Sequence, residues 1–309
     1  MKKVFIDGSA GTTGLRIRER LGSREDLTLV RLSEEKRKDP EARREAILSA
    51  DVAFLCLPDD AAREAVALVG DCDTVIIDTS TAHRTDPSWT YGFPELAGAR
   101  EKIRASRRIA NPGCHASGFI ALVAPLVAAG LLPADTPLSA FSLTGYSGGG
   151  KKMIAEYEAE ERDPLLDAPR AYGLTGKHKH LPEMTAVTGL SVAPVFTPIV
   201  APYYAGMEVG VSLFASHLRG TVSDLRDCLR TAYPSGLVRY VDAPDEGGFL
   251  SAGALCGRDD MQVTVVGNDE RILLVSRFDN LGKGASGAAI QNMNVNLGVP
   301  EDTGLVIGE

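Results

Sequence analysis

Apolar and polar positions follow two different patterns along this chain. In the first third, apolar runs typical of strands alternate with segments that have the 3.6-residue spacing of helices. The runs lie at 3–7, 27–32, 51–57 and 74–78, and the helical segments lie at 15–21 and 60–69. Such alternation predicts an α/β domain with a Rossmann-type, doubly wound parallel sheet.

Beyond residue 114 the pattern changes. An apolar, helix-like stretch comes first, and longer strand-like runs joined by turns follow it. These runs lie at 139–143, 189–196, 207–215, 262–266 and 272–278. They predict a second, α+β domain with a mixed or antiparallel sheet.

A glycine-rich loop, GSAGTTG, begins at Gly8, directly after the first strand. Gly8 and Gly11 allow a tight turn and a close approach of backbone to a pyrophosphate, and Gly14 lets the following helix pack closely on the strand. Thr12 and Thr13 add hydroxyl donors. The spacing G-x-x-G-x-x-G departs from G-x-G-x-x-G, so an ordinary glycine turn is the alternative to dinucleotide binding.

The second strand lacks the acid that usually binds the ribose of NAD. Ser33 stands in its place, followed by Arg37 between two lysines. Because a hydroxyl backed by cations suits a 2′-phosphate, the sequence favours NADP. Two neighbouring glutamates leave a solvated charge run as the alternative. Loops after the third and fourth strands, at Pro58 and Ser80, are expected at the same cofactor edge.

Composition narrows the class of protein. The 309 residues are 44% hydrophobic and 24% charged, with a net charge of −8, which is ordinary for a globular protein and does not suit binding to nucleic acid. The apolar stretches are too short for a membrane span. The chain opens directly on a strand, so we expect no targeting segment and a cytoplasmic location.

One cysteine has the setting of a nucleophile. The count of five is odd and contains no C-x-x-C pair, which disfavours a disulfide framework. Cys114 follows an Asn-Pro-Gly turn and precedes the helical stretch 119–127, where backbone N–H groups and the helix dipole favour a thiolate. A buried structural thiol is the alternative, and Cys56 and Cys256, among apolar neighbours, are expected in the core.

Two histidines stand together in a short basic loop before a proline-started helix. His178 and His180 suit the need of Cys114 for a base. No third and fourth ligand accompany them, so we expect no metal. A second glycine loop, at 144–152, is either a surface hairpin or a cradle for an anion or the nicotinamide side of a cofactor.

Together these motifs resemble the short form of the N-acetyl-gamma-glutamyl-phosphate reductase family, within the semialdehyde dehydrogenases. The resemblance covers essentially the whole chain. It rests on four segments: the loop from Gly8, NPGC at 111–114, HKHLPE at 178–183, and DNLGKGASG at 279–287.

The resemblance implies NADPH-dependent reduction of N-acetyl-L-glutamyl 5-phosphate to the 5-semialdehyde, with release of phosphate, in arginine biosynthesis. Cys114 would form a thioester, and His180 with His178 would be the acid/base pair. Arg84, Glu183 and Ser117 would contact substrate. The Ala-His pair before Arg84 departs from the Asp-Phe common in the long form.

The resemblance also places Asn280, Lys283 and Gly284 near the nicotinamide, and packs the helical segment 288–297 back on the first domain. It thus implies an NADP-binding domain of residues 1–113 and 285–309, a catalytic and oligomerisation domain of 114–284, and a homodimer or homotetramer. Two alternatives stay open. One is an enzyme like aspartate-semialdehyde dehydrogenase that acts on another acyl phosphate, and the other is a non-catalytic NADP-binding regulator.

Overall fold

The computed structural model describes residues 1–308, which divide into two compact units. Unit 1 comprises residues 1–113 and 285–305, and unit 2 comprises residues 114–284 and 306–308. No helix within residues 1–308 is long and apolar enough to cross a membrane.

Unit 1 is an α/β domain, a parallel β-sheet flanked by helices, as predicted. The strand order is β2-β1-β3-β4-β6-β5, and every neighbouring pair is parallel. Its elements are β1 (Lys2–Asp7), α1 (Thr12–Leu21), β2 (Leu27–Val30), α2 (Pro40–Leu48), β3 (Val52–Leu55), α3 (Asp59–Val69), β4 (Val75–Asp78), β5 (Thr90–Tyr91), α4 (Ala99–Ala105), β6 (Arg108–Ala110) and α9 (Gly287–Leu297).

Both faces of this sheet are covered. Successive residues of a strand point to opposite faces, and Val4 and Phe5 of β1 accordingly enter different cores. Val4 packs with Ile17 of α1 and with α9, whereas Phe5 packs with Ile47 of α2 and with α3. Burial on both faces explains why strands such as β3, all four residues of which are buried, are apolar without interruption.

Unit 2 contains a mixed sheet with the order β11-β12-β13-β10-β7-β9-β8, in which β11–β12 and β7–β9 are parallel pairs and the others antiparallel. Its elements are α5 (Cys114–Ala128), β7 (Ser139–Gly145), α6 (Gly150–Tyr157), β8 (Arg170–Ala171), α7 (Leu181–Thr188), β9 (Val195–Ala201), β10 (Met207–Phe214), α8 (Val222–Ala232), β11 (Val238–Tyr240), β12 (Met261–Gly267) and β13 (Arg271–Phe278).

Helix α5 is the central helix of unit 2. All of its residues from 115 to 124 are buried, and it packs against β10, β13, α7 and α8. The small residues in its first two turns allow a close approach to the sheet. A Cβ at Gly118 would lie 2.6 Å from both Ser276 Oγ and Val209 Cγ2, and 2.8 Å from Phe278 Cε1.

Two sequence predictions for unit 2 are wrong in detail. The run 189–196 is not one strand, because α7 ends at Gly189 in the left-handed region (φ 75°) and only from Val195 does the backbone join the sheet. The glycine loop at 144–152 is not a hairpin. It forms a 3₁₀ turn, Tyr146–Gly149, followed directly by α6.

Two further expectations need correction. Cys256 is exposed rather than in the core. Residues 306–308 were expected to belong to unit 1, but hydrogen bonds from the backbone of Val306 join this segment to Asp259 of unit 2. Asp259 N–H donates to Val306 O (2.6 Å), and Val306 N–H donates to Asp259 Oδ2 (2.9 Å). Buried Asp259 needs such partners, and the apolar pattern of the chain does not reveal them.

The close packing of α5 makes Gly118 sensitive to added volume. We expect Gly118→Val to lower the free energy of unfolding by about 1–3 kcal/mol or more, since the new atoms overlap backbone-anchored strand residues. Ala128→Val, at the exposed end of the same helix, is the control and should cost less than about 1 kcal/mol. Urea unfolding measures both. Equal effects would show that α5 can move away from the sheet.

Candidate active site

A cavity of about 630 Å³ opens at the carboxyl ends of the unit 1 strands. It lies where the chain leaves β1 and β3, on either side of the point at which the strand order reverses, the usual ligand position in such sheets. Four of the residues that the sequence predicts to bind a cofactor line this cavity: Gly8, Gly11, Arg37 and Pro58. The other predicted members from unit 1, Thr12, Thr13, Gly14, Ser33 and Ser80, are not among the lining residues.

The glycine loop leaves no room for side chains on its inner side. Gly8 has φ +80°, and a Cβ there would lie 2.2 Å from the carbonyl oxygen of Cys56. A Cβ at Gly14 would lie 2.6 Å from the carbonyl oxygen of Gly8, which holds α1 close to the loop. Gly11 N–H donates to the same oxygen (2.9 Å), and α1 begins at Thr12. A backbone cradle before a helix N-terminus fits a pyrophosphate.

Five basic residues line this cavity, three of them in the segment that follows β2. The basic lining residues are Arg18, Arg31, Arg37, Lys38 and Arg43. Arg43 is buried and committed to Asp7 at the end of β1 (2.8 Å), whereas Arg37 is about half exposed and pairs with the more exposed Glu34 (3.1 Å). An exposed pair of this kind is weak, so Arg37 can exchange its partner for a phosphate. Ser33 is exposed beside the cavity.

Ser80 and Arg84 are held by groups of unit 1 itself. The Ser80 hydroxyl donates to Asp78 Oδ2 (2.8 Å), and His83 Nδ1 lies 2.6 Å from the same oxygen. Arg84 is buried. Its Nε–H donates to the Asn111 carbonyl (2.9 Å) and its NH2 group to the Thr79 carbonyl (3.0 Å). These contacts stabilise the turn that precedes Cys114 in sequence.

Cys114 is the first residue of α5, and this helix has no acidic residue in its first turn. Gly284 lies against it, since a Cβ at Gly284 would be 3.0 Å from Cys114 Cβ. The start of a 15-residue helix carries the positive end of the helix dipole, which favours an anion there. Cys56 contrasts with it, because burial raises the pKa of that thiol to about 12.

Three histidines gather at the start of α5. The ring of His115 lies 5.4 Å from that of His178 and 5.5 Å from that of His180, centroid to centroid, and the last two are 4.8 Å apart. The backbone N–H of His180 donates to His178 Nδ1 (3.2 Å). The structure therefore brings both predicted histidines next to the residue that follows the predicted nucleophile. Residues 1–308 contain no group of acids, histidines and cysteines arranged to hold a metal.

Burial keeps two of these histidines neutral. Desolvation lowers the pKa of His115 to about 3, with a smaller effect from His178 and Lys179. Desolvation likewise lowers the pKa of His178 to about 4, with a contribution from Lys179. A neutral imidazole can accept a proton from a thiol, which an imidazolium cannot.

The sequence analysis missed a hydrogen-bonded chain at this site. His115 Nδ1 lies 2.7 Å from Ser142 Oγ, and His115 Nε2 lies 2.7 Å from the Tyr172 hydroxyl. Burial, followed by the neighbouring Cys114, raises the pKa of Tyr172. The position of His115 directly after the cysteine was the one available sequence signal. Nothing in the sequence joins it to residues 27 and 57 positions away.

The remaining predicted residues are all in unit 2 and nearly all buried. Asn280 Oδ1 accepts from Gly206 N–H (3.0 Å), and its Nδ2 donates to Ser147 Oγ (2.9 Å), so it supports the 3₁₀ turn. Lys283 lies with Gly284 in a π-helical turn and is 1% exposed. Glu183, in the first turn of α7, is also 1% exposed. Ser117, in the first turn of α5, has no exposed surface.

Two family descriptions match the chain. Residues 3–106 match the semialdehyde dehydrogenase NAD binding domain, and residues 114–280 match the semialdehyde dehydrogenase dimerisation domain. The chain is 48% identical to an N-acetyl-gamma-glutamyl-phosphate reductase of Brucella anthropi, over 96% of this chain and 98% of that protein. It is 45% identical to N-acetyl-gamma-glutamyl-phosphate reductase 2 of a Nostoc species, over 98% of this chain and 99% of that protein.

Solved structures share the fold. Aspartate semialdehyde dehydrogenase II of Vibrio cholerae, complexed with ASA, superposes with a TM-score of 0.72 at 17% identity, covering 96% of this chain and 98% of that chain. The aspartate semialdehyde dehydrogenase of Candida albicans with NADP gives a TM-score of 0.66 at 16% identity, covering 97% and 100%. At this identity the likeness shows the architecture alone.

The buried histidines make stability depend on pH. A histidine with a lowered pKa is neutral when folded but binds a proton when unfolded below about pH 6.5. The free energy of unfolding is therefore highest above about pH 6.5, and it decreases as the pH falls toward the pKa of the histidine in the folded protein. We expect His115→Gln to reduce the acid sensitivity by up to about 1.4 kcal/mol per pH unit between pH 6 and 4.

Urea unfolding at steps from pH 8 to 4 measures this effect. Above pH 7 the two proteins should show the same pH dependence, whatever the constant cost of the substitution. Parallel curves over the whole range would mean that His115 is not neutral through burial.

Proposed function

From the premise that this chain belongs to the semialdehyde dehydrogenase family, we propose that it reduces N-acetyl-L-glutamyl 5-phosphate to N-acetyl-L-glutamate 5-semialdehyde with NADPH and releases phosphate. The step belongs to arginine biosynthesis. The observation that carries the proposal is the position of Cys114 at the start of a buried helix, where the next residue, His115, belongs to a cluster of three histidines.

Cys114 provides the covalent step. Its thiolate attacks the acyl carbon of the substrate, the bond from that carbon to the phosphate oxygen breaks, and phosphate leaves with the electron pair. A thioester on Sγ remains. When bound, NADPH supplies the hydride that reduces the thioester carbon. The resulting thiohemiacetal returns its electron pair to Sγ and releases the aldehyde.

The histidine pair provides the proton transfer. His178 is oriented by the backbone N–H of His180, which occupies its Nδ1. His180 is the residue directly before α7 and is 4% exposed. We assign His180 as the acid/base that protonates the thiohemiacetal oxygen and removes that proton again as the aldehyde leaves, with His178 orienting it. Arg84 and Glu183 remain the candidates for contact with substrate polar groups.

The cavity of unit 1 fits NADP. Its glycine cradle is open to a pyrophosphate, and we assign Arg37, on the segment between β2 and α2, to the 2′-phosphate. Unit 1 is accordingly the NADP-binding domain, and unit 2 is the catalytic and oligomerisation domain. Asn280, Lys283 and Gly284 are assigned to the nicotinamide end of the cofactor.

The sheet of unit 2 offers a surface for a second copy of the chain. Strand register places Phe141, Leu143 and Ile199 on the face opposite α5, where they are partly exposed. Val195, on the same strand as Ile199, is 71% exposed. We assign this face to a homodimer interface, from which a tetramer can be built, and we place the enzyme in the cytoplasm.

Replacing the sulfur tests the covalent step. Cys114→Ser should lower kcat/KM for N-acetyl-L-glutamyl 5-phosphate by on the order of 10³-fold or more, because a serine hydroxyl is far harder to deprotonate than a thiol. Cys256→Ser, at an exposed thiol, is the matched control and should retain wild-type turnover. NADPH oxidation followed at 340 nm is the measurement.

Three outcomes contradict the proposal in different ways. Turnover of aspartyl phosphate alone would favour the related semialdehyde dehydrogenase. An unchanged rate in Cys114→Ser would exclude the thioester. Absence of turnover with either acyl phosphate, together with tight NADP binding, would favour a regulator.

The preference for NADP is expected to depend on Arg37. Removing one charge-assisted contact to the 2′-phosphate should raise the KM for NADPH by about tenfold in Arg37→Ala and change the KM for NADH by less than about twofold. Arg44→Ala, a neighbouring exposed arginine paired with Glu41, is the control. Equal changes for both cofactors would place the 2′-phosphate elsewhere.

A further inference from the structure

The hydrogen-bonded chain Ser142–His115–Tyr172 passes through the start of α5, because His115, its middle member, directly follows Cys114, the first residue of the helix. We propose that the Tyr172 hydroxyl donates a hydrogen bond to the Cys114 thiolate, and that His115 and Ser142 are positioning residues that turn this hydroxyl toward the sulfur. The inference rests on the proposed function, because it assigns a task to the same nucleophile. It adds a group to the reaction that the histidine pair does not supply.

The geometry of His115 limits the chain to two directions. A neutral imidazole donates from one nitrogen and accepts at the other. If Ser142 donates to Nδ1, Nε2–H donates to the Tyr172 oxygen, and the tyrosine proton points away from His115. If Nδ1–H donates to Ser142, the tyrosine proton is used on Nε2. The two partner distances of 2.7 Å allow both directions.

Each direction corresponds to one state of the cysteine. With the tyrosine proton pointing away from His115, Tyr172 can donate to a thiolate. With that proton on Nε2, the tyrosine oxygen can only accept, as it would from a thiol. Because burial holds the pKa of His115 near 3, the imidazole stays neutral and can support either direction at neutral pH. Hydrogen bonding to the charged form of Cys114 favours the thiolate.

Packing keeps the chain in place. His115 is 3% exposed, and Phe196 lies against its ring at 5.4 Å. Tyr172 is held by a backbone bond from its N–H to the Pro198 carbonyl (3.0 Å), next to β9. The Tyr172 hydroxyl lies 2.7 Å from the ring of His115, the residue directly after Cys114, which brings it to the first turn of α5. Burial, and after it the charge of Cys114, raises the pKa of Tyr172, in keeping with this geometry.

Other titratable groups lie at and around His115, in the elements near the start of α5, and they are unchanged in the test. They are His115 on α5, His178, Lys179 and His180 on the segment before α7, Glu183 on α7, and Lys283 on the turn that contacts Cys114. Substituting Tyr172, which keeps its phenol protonated at neutral pH, alters none of these charges.

The test is the pH dependence of alkylation of Cys114 by iodoacetamide in the full chain, without substrate or cofactor. The Cys114 peptide is quantified by mass spectrometry, and the other four cysteines serve as internal references. We expect Tyr172→Phe to move the midpoint upward by about one pH unit, since a charge-assisted hydrogen bond to the thiolate is lost. His115→Gln and Ser142→Ala should move it in the same direction by less.

Tyr233→Phe is the matched control. The Tyr233 hydroxyl donates to the carbonyl of Ala121 on α5 (3.0 Å). The substitution therefore removes a buried tyrosine hydrogen bond to α5 at a position away from the sulfur. It should leave the midpoint unchanged. In turnover assays, Tyr172→Phe should lower kcat with little change in the KM for the acyl phosphate.

An unchanged midpoint in Tyr172→Phe overturns the proposal, and so does an equal shift in Tyr233→Phe, which would indicate general loosening of α5. If Tyr172→Phe does not fold, Ser142→Ala carries the test, and an unchanged midpoint in that variant overturns the proposal. Failure of the proposed function would show separately, as full activity of Cys114→Ser. Loss of activity in Cys114→Ser with an unchanged midpoint in Tyr172→Phe would reject only the tyrosine contact.

Discussion

The close packing of α5 on the mixed sheet is the constraint on which the candidate active site depends. The helix is buried along most of its length, and Gly118 lets it lie directly against β10 and β13. Its first residue, Cys114, therefore has a defined position relative to the strands. The same packing places His115 opposite Ser142 on β7. If the helix could shift by about one ångström, His115 would lose its hydrogen bonds and the sulfur of Cys114 would lose its orientation.

Desolvation then decides the chemistry that this position allows. The interior around α5 and α7 disfavours charge on imidazole, so His115 and His178 are neutral over the pH range of metabolism. Neutral rings can pass a proton or hold a hydroxyl in either direction, which charged rings cannot. This arrangement lowers the stability at low pH, because a histidine in the unfolded chain binds a proton at pH values where the buried histidine stays neutral.

Unit 1 obeys a simpler rule. A parallel sheet covered on both faces needs uninterrupted apolar strands, and these strands are visible in the sequence as short apolar runs between glycine turns. Their carboxyl ends meet at one edge, so the loops after β1 and β3 line the same cavity. Sequence reasoning placed Gly8, Gly11, Arg37 and Pro58 there because connectivity alone specifies that edge. It also placed Ser80 there, but Ser80 is not among the residues that line the cavity, and its hydroxyl donates to Asp78 instead.

The sequence by itself predicted the parallel sheet of unit 1, most strands of unit 2, the candidate nucleophile and the two candidate histidines, since periodicity, turn residues and helix starts are local properties of the chain. Only the tertiary structure decided which groups meet at the start of α5. His115, Ser142 and Tyr172 come together because β7 and the segment before α7 both pack beside α5. It also decided that the run 189–196 begins as a helix end rather than a strand. Contacts between distant segments depend on how whole elements pack, and no local pattern of residues encodes that packing.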